Sequence, residues 1–161
     1  MPNPITIRPA GDADVPIIGA LGAMLMREHY SFDPKRFMKP PDNVERGYGS
    51  FLRSQMRNEE AVVLVAESDQ GEVMGYVFAA LEPTSWKELR EAAGFIHDIV
   101  VAEQSRGKGV ASALLGAAFD WLRSRGAPRV VLMTAEPNHD AQRVFTRLGF
   151  RRTMIEMTRE L

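Results

Sequence analysis

Cysteine is absent from the 161 residues. Disulfides, thiolate zinc sites and a cysteine nucleophile are excluded together. The lack fits a reducing compartment, and a cytoplasmic location is expected. Histidine is scarce: His29, His97 and His139 are the whole set. None stands in an H-E-x-x-H pairing, so no metal site is expected. Neither sign of charge dominates, since 20 Lys and Arg against 21 Asp and Glu leave a formal net charge of -1. Nothing broad attracts nucleic acid or an anionic membrane, and neither is expected as a partner. No apolar run approaches the ~20 residues of a membrane span. The start, MPNPITIRPAGD, lacks the apolar stretch of a signal peptide. Length and a hydrophobic share of 45% suit one globular domain, 1–161.

Periodicity orders what is present. ITIRPA (5–10) reads as a strand, followed by a helix that Asp12 or Asp14 can cap, with Pro16 in its first turn. Prolines punctuate 31–43. A second helix begins near Asp42, and Gly47 and Gly49 predict that it is short or irregular. AVVLVAES (61–68) and EVMGYVFAALE (72–82) form a hairpin around SDQGE. FIHDIVV (95–101) and RVVLMTA (129–135) read as buried strands flanking a helix over 108–125. NHDAQRVFTRLG (138–149) is a helix with Asn138 as its cap, and TMIEMTREL (153–161) reads as a last strand. A β-α-β unit over 95–135 requires parallel strands with a right-handed crossover. The hairpins make the sheet mixed, so the fold class is α/β, with about six or seven strands flanked by helices.

The junction QSRGKGVASALL (104–115) places two glycines and two cations between strand and helix. Free N–H groups at a helix N-terminus attract anions, and glycines let the backbone turn sharply. Arg106 and Lys108 add charge, so the stretch reads as a phosphate loop. The Walker A pattern fails because Gly109 follows Lys108, and the dinucleotide fingerprint G-x-G-x-x-G fails at Ser112. A glycine-softened turn in front of a core helix is the plainer alternative.

The chain resembles the GNAT superfamily of N-acetyltransferases. Their [QR]-x-x-G-x-[GA] motif fits as Gln104-x-x-Gly107-x-Gly109 and again as Arg106-x-x-Gly109-x-Ala111. A second motif, N-x-x-A-x-x-[apolar]-[aromatic]-x-x-x-G-F, is met by Asn138, Ala141, Val144, Phe145, Gly149 and Phe150. The resemblance implies a GNAT-like fold with a splayed parallel pair, and acetyl-CoA as cosubstrate. Pantetheine would pair with Ile99, Val100 and Val101. Pyrophosphate would take N–H groups of Arg106, Gly107, Lys108, Gly109, Val110 and Ala111, with Ser112 beside them. Asn138 and Phe145 would border the cofactor, and Asn138 also reads as a plain cap.

The implied reaction is acetyl transfer to a primary amine of a small molecule or peptide, by direct attack in a ternary complex. An alkyl ammonium with a pKa of ~10.4 must first lose a proton. His97, Asp98 and Glu136 are the candidates to receive it. Histidine titrates near neutrality, and an Asp in a buried strand needs a partner or a task. Adjacent strand residues face opposite sides, so His97 and Asp98 share a face only if a bulge intervenes. GFIHDIVV is locally similar to the matching strand of glucosamine-6-phosphate N-acetyltransferases, with His97 in place of an acid. Phe145 stands where many relatives carry a tyrosine that protonates the leaving thiolate. That departure leaves an alternative: a CoA-binding sensor on the same fold. Tyr30, Phe32 and Asp33 are the candidate acceptor contacts, and a packed loop with solvated charges is the alternative for each. A homodimer is expected through the last strand.

Overall fold

β-branched residues run through Ala61–Glu67 (β2), which turns into Val73–Glu82 (β3). At the turn Gly71 takes φ +80°, and Ser68 Oγ accepts from the N–H groups of Gln70 and Glu72. Thr6–Pro9 (β1) pairs with β2, and Ala93–Val101 (β4) with β3, all antiparallel. Val130–Leu132 (β5) lies parallel to β4. The computed structural model describes residues 3–161, and its strands form one mixed sheet in the order β1-β2-β3-β4-β5.

The alternation of β3 sorts two cores. Tyr76, Phe78 and Ala80 join Ile18, Leu21, Leu52 and Val100 on one face. Val77 and Ala79 join Ile96, Leu114, Leu115, Leu122 and Phe145 on the other. Helices Val15–Phe32 (α1) and Val44–Met56 (α2) cover the first face. Val110–Ser124 (α3), the crossover between the parallel strands, and His139–Arg147 (α4) cover the second.

α2 is a regular 13-residue helix, not the irregular stretch its glycines predict. Glycine costs about 1 kcal/mol in a helix interior, but here it permits contact. A Cβ on Gly19 would stand 2.5 Å from the Glu45 carbonyl oxygen and 3.0 Å from Gly49 Cα. A Cβ on Gly22 would stand 2.1 Å from the Tyr48 ring. The missing side chains let α1 and α2 touch and let Tyr48 pass between them.

Asp14 does not cap α1. Its carboxylate accepts from the Gly11 N–H at 2.7 Å and pairs with the Arg8 guanidinium at 2.8 Å, which ties β1 to the start of the helix. Asn138 does cap α4, accepting from the Ala141 N–H at 3.3 Å. The helix expected from 108 starts at Val110, because Gly109 lies in the left-handed region. The strand expected over 129–135 pairs only through Val130–Leu132.

The expected last strand is absent. Residues 151–161 carry no regular structure and lie exposed, including Met154, Ile155, Met157 and Leu161. The segment is tied back to the loop after α1 by an ion pair between Arg36 and Glu156, whose second contact is 2.7 Å. Within 153–161, Ile155, Glu156, Met157 and Thr158 alternate as a strand would. A strand also needs a hydrogen-bonding neighbour, and among the described residues this segment pairs with none.

Candidate active site

β4 carries an irregularity at its middle. Phe78 pairs with Asp98 and Ala79 with Ile96, so His97 is an extra residue with no partner on β3. This bulge resets the alternation. His97 and Asp98, adjacent in sequence, therefore both face the α1/α2 side. His97 lies against Phe78 and Phe95, with ring centroids at 4.9 and 5.5 Å. Its Nε2 meets Glu82 Oε1 at 2.8 Å. Both side chains keep 34% of their surface exposed.

Asp98 is 8% exposed. Its Oδ2 accepts from two phenols, Tyr48 at 2.7 Å and Tyr76 at 2.8 Å. Burial raises the pKa of Asp98, and the two tyrosine hydrogen bonds oppose that rise without cancelling it. Both phenols are pushed far above the usual tyrosine range by burial, then by the neighbouring carboxylate. Asp98 thus joins α2, β3 and β4 at the bulge.

Past Ile96 and Leu132, β4 and β5 no longer pair, and residues 98–101 pair on one side only, to β3. Ile99, Val100 and Val101 lie on this split stretch. The chain then passes through a 3-10 turn, Glu103–Ser105, into Arg106–Gly109. Gly107 and Gly109 take φ +73° and +81°, where an L side chain is strained. A Cβ on either would meet nothing within 4 Å. The glycines are therefore required by the turn and not by crowding. Arg106 and Lys108 are exposed, and Arg106 Nε reaches the Val101 carbonyl at 3.4 Å. The first N–H groups of the 15-residue helix α3, on Val110, Ala111 and Ser112, have no intrahelical acceptor. A turn of left-handed glycines, two flanking cations and a long helix N-terminus fit a pyrophosphate.

The other expected residues are distributed unevenly. Asn138 stands at the head of α4 behind β5, and Phe145 is buried against Phe150 at 5.8 Å in the α3/α4 core. Glu136 is exposed and pairs with Arg152 at 3.5 Å, apart from the His97–Glu82 pair. Asp33 Oδ1 accepts from the Lys35 N–H at 3.0 Å and so finishes a turn. Phe32 packs edge-on against His29 at 5.7 Å, and Tyr30 is half-buried on α1. Among the described residues, no hydrogen bond or ring contact joins these three to His97 or Asp98. Glu82, Tyr48 and Tyr76 were missed as site residues. The need of Asp98 for buried donors was the one signal for the tyrosines, and Glu82 is the only acid along β3.

A mixed sheet split after a parallel pair, with a glycine turn feeding a helix at the split, defines an N-acetyltransferase fold. The Acetyltransferase (GNAT) family model matches residues 23–150, and the chain belongs to that family. It is 31% identical over 105 residues to the "Uncharacterized N-acetyltransferase YhfO" of Bacillus subtilis, covering 65% of this chain and 68% of that one. A tetramutant of the BH1408 protein from Bacillus halodurans superposes with a TM-score of 0.83 at 21% identity, over 97% of this chain and 99% of that one. The aminoglycoside N-acetyltransferase AAC(6')-Iy in complex with CoA superposes with a TM-score of 0.74 at 19% identity, over 99% and 95%. At such identities the two structures share the fold alone. Among the described residues no helix is long and apolar enough to cross a membrane.

Proposed function

We propose that this protein transfers an acetyl group from acetyl-CoA to a primary amine in a ternary complex, with residues 1–161 acting as one domain. The observation that carries the reading is the split of β4 from β5 beside the Gly107–Gly109 turn and the α3 N-terminus. The CoA held by an aminoglycoside N-acetyltransferase of the same fold supports the choice of cosubstrate. Ile99, Val100 and Val101 receive the pantetheine arm. Residues Arg106 through Ser112 receive the pyrophosphate, while Asn138 and Phe145 border the cleft.

His97 takes the ammonium proton. With Glu82 Oε1 accepting from Nε2–H, Nδ1 is left as the basic nitrogen. The freed amine attacks the thioester carbonyl. A C–N bond forms, the C–S bond breaks, and the nitrogen sheds its second proton to water. CoA leaves as a thiolate that takes that proton back from water, and His97 releases the first proton to solvent. Thiols have a pKa of ~8.5, so this departure is tolerable without an acid at Phe145. Asp98 is committed to two phenols and Glu136 to Arg152, so His97 is the better placed of the three candidates. A cytoplasmic homodimer completes the reading, supported by the lack of cysteine and the uncovered segment 151–161.

Calorimetry with acetyl-CoA, CoA, ATP and NAD, then thiol release with an amine panel, tests the proposal. Selective CoA-type binding and amine-dependent release are expected. Gly109→Glu puts an anion in the proposed pyrophosphate seat, and acetyl-CoA affinity should fall at least 100-fold in a folded protein. Unchanged affinity would remove the phosphate-loop assignment. Tight binding without release from any amine favours the sensor reading that Phe145 allows.

A further inference from the structure

The sheet face that presents His97 is paved with rings. Phe51, on α2, is 43% exposed and lies edge-on to Phe78 at 5.8 Å. Phe78 is 4.9 Å from His97, and His97 stacks on Phe95 at 5.5 Å with 21° between planes. The floor, Phe78 and Phe95, is buried, while Phe51 and His97 reach solvent. Beyond Glu82 the loop between β3 and β4 is pinched by reciprocal Ser85–Arg90 backbone bonds of 2.8 and 3.0 Å. That loop carries Trp86 and Leu89, 89% and 90% exposed. Arg90 at its base lies 4.8 Å over the Phe95 ring.

Charge on this face is sparse. Along β3 and β4 the acidic residues are Glu82 and Asp98. Asp98 is buried beneath two phenols, so one carboxylate on these strands, Glu82, can meet a cation. Arg90 offers no counterpart for an anion, since Nε and Nη2 go to Glu88 and Nη1 to the Glu91 carbonyl. Glu88 and Lys87 open onto the same cavity as Glu82, but Glu88 is held by Arg90, so a ligand with several ammonium groups would find one carboxylate not already taken by a guanidinium. A ligand with one ammonium beside a flat apolar body finds both a carboxylate and ring faces, the pairing that binding pockets use to fix orientation.

The geometry points to an acceptor of the arylalkylamine kind, with one primary ammonium at Glu82 and His97 and an apolar ring seated on Phe51. The inference rests on the transferase reading above and adds the substrate class. Phe51 sets specificity, and its exposed place on α2 makes it replaceable without opening the core.

Thiol release is measured at saturating acetyl-CoA with 2-phenylethylamine, spermidine and kanamycin, beside acetyl-CoA calorimetry on the same samples. The kcat/KM for 2-phenylethylamine should exceed the other two at least tenfold. Phe51→Ala should raise KM for 2-phenylethylamine about tenfold with kcat within twofold, and Phe51→Tyr should keep the parental KM. Preference for spermidine or kanamycin overturns the inference and leaves the transferase standing, as does a preference that survives Phe51→Ala. Acetyl-CoA binding without release from any amine overturns the inference while keeping the cofactor site. No acetyl-CoA binding overturns both.

Discussion

Two neighbours on β4, His97 and Asp98, share a face and differ in burial. Asp98 is held for position. It collects two phenolic hydrogen bonds in a place where its charge is poorly solvated. Its folded pKa is raised, so the folded state keeps the proton to a higher pH than the unfolded chain. Stability from this group is therefore full below the ordinary carboxylate value of ~3.9 and declines as pH rises through the raised pKa. Asp98→Asn should abolish that decline. The difference in Tm between variant and parent, followed by calorimetry from pH 3 to 8, should shift in the variant's favour as pH rises. A flat difference would show that Asp98 holds its proton no more tightly than in the unfolded chain. His97 has the opposite station, half open to solvent, and His97→Ala should lower kcat by about 10²- to 10⁴-fold, the range of a lost general base. An unchanged pH–rate profile in that variant would move proton transfer to Glu136 or to water. The pairing of His97 and Asp98 on one face was not readable in sequence. Alternation opposes it, and the bulge that allows it is a property of the β3–β4 register.

Among elements, the contact of α1 with α2 turns on small residues. Gly19 faces backbone on α2, so Gly19→Ala cannot be relieved by rotating a side chain. We expect a loss of about 1–3 kcal/mol, the usual cost of overpacking, read as a lower urea midpoint at constant m-value. Tyr48 and Phe51 ride on α2, so the same substitution should also raise KM for the acceptor. The glycines that made this helix look weak in the sequence are what let it dock, because propensity counts the helix alone and packing counts the pair. The left-handed turn before α3 was legible for a related reason. Left-handed backbone almost demands glycine, so Gly107 and Gly109 announce their conformation without any knowledge of the fold. The proposed acceptor wall was not legible, because Phe51 comes from α2 and Phe78 and Glu82 from β3, and only the folded chain brings them to His97 on β4.

At the scale of the whole molecule, the segment 151–161 is what a lone chain leaves unsettled. Its side-chain pattern asks for a sheet, its exposed methionines and Ile155 ask for cover, and Arg36 and Glu156 hold it beside the loop after α1. Light scattering should give twice the chain mass. Met157→Asp with Ile155→Asp should shift it toward the monomer, and a parent that scatters as a monomer at micromolar concentration would refute the dimer. The split sheet has a consequence of another kind. From residue 97 to 101, those amides of β4 that do not bond to β3 have no strand partner across the gap among the described residues. In deuterated buffer they should exchange early, as loop amides do, although they sit within a strand. When acetyl-CoA fills the gap, its amide-bearing arm should supply the missing acceptors, and the same few sites should slow while their β3-bonded neighbours change little. The isotope would then draw the cofactor's path along β4, one amide at a time.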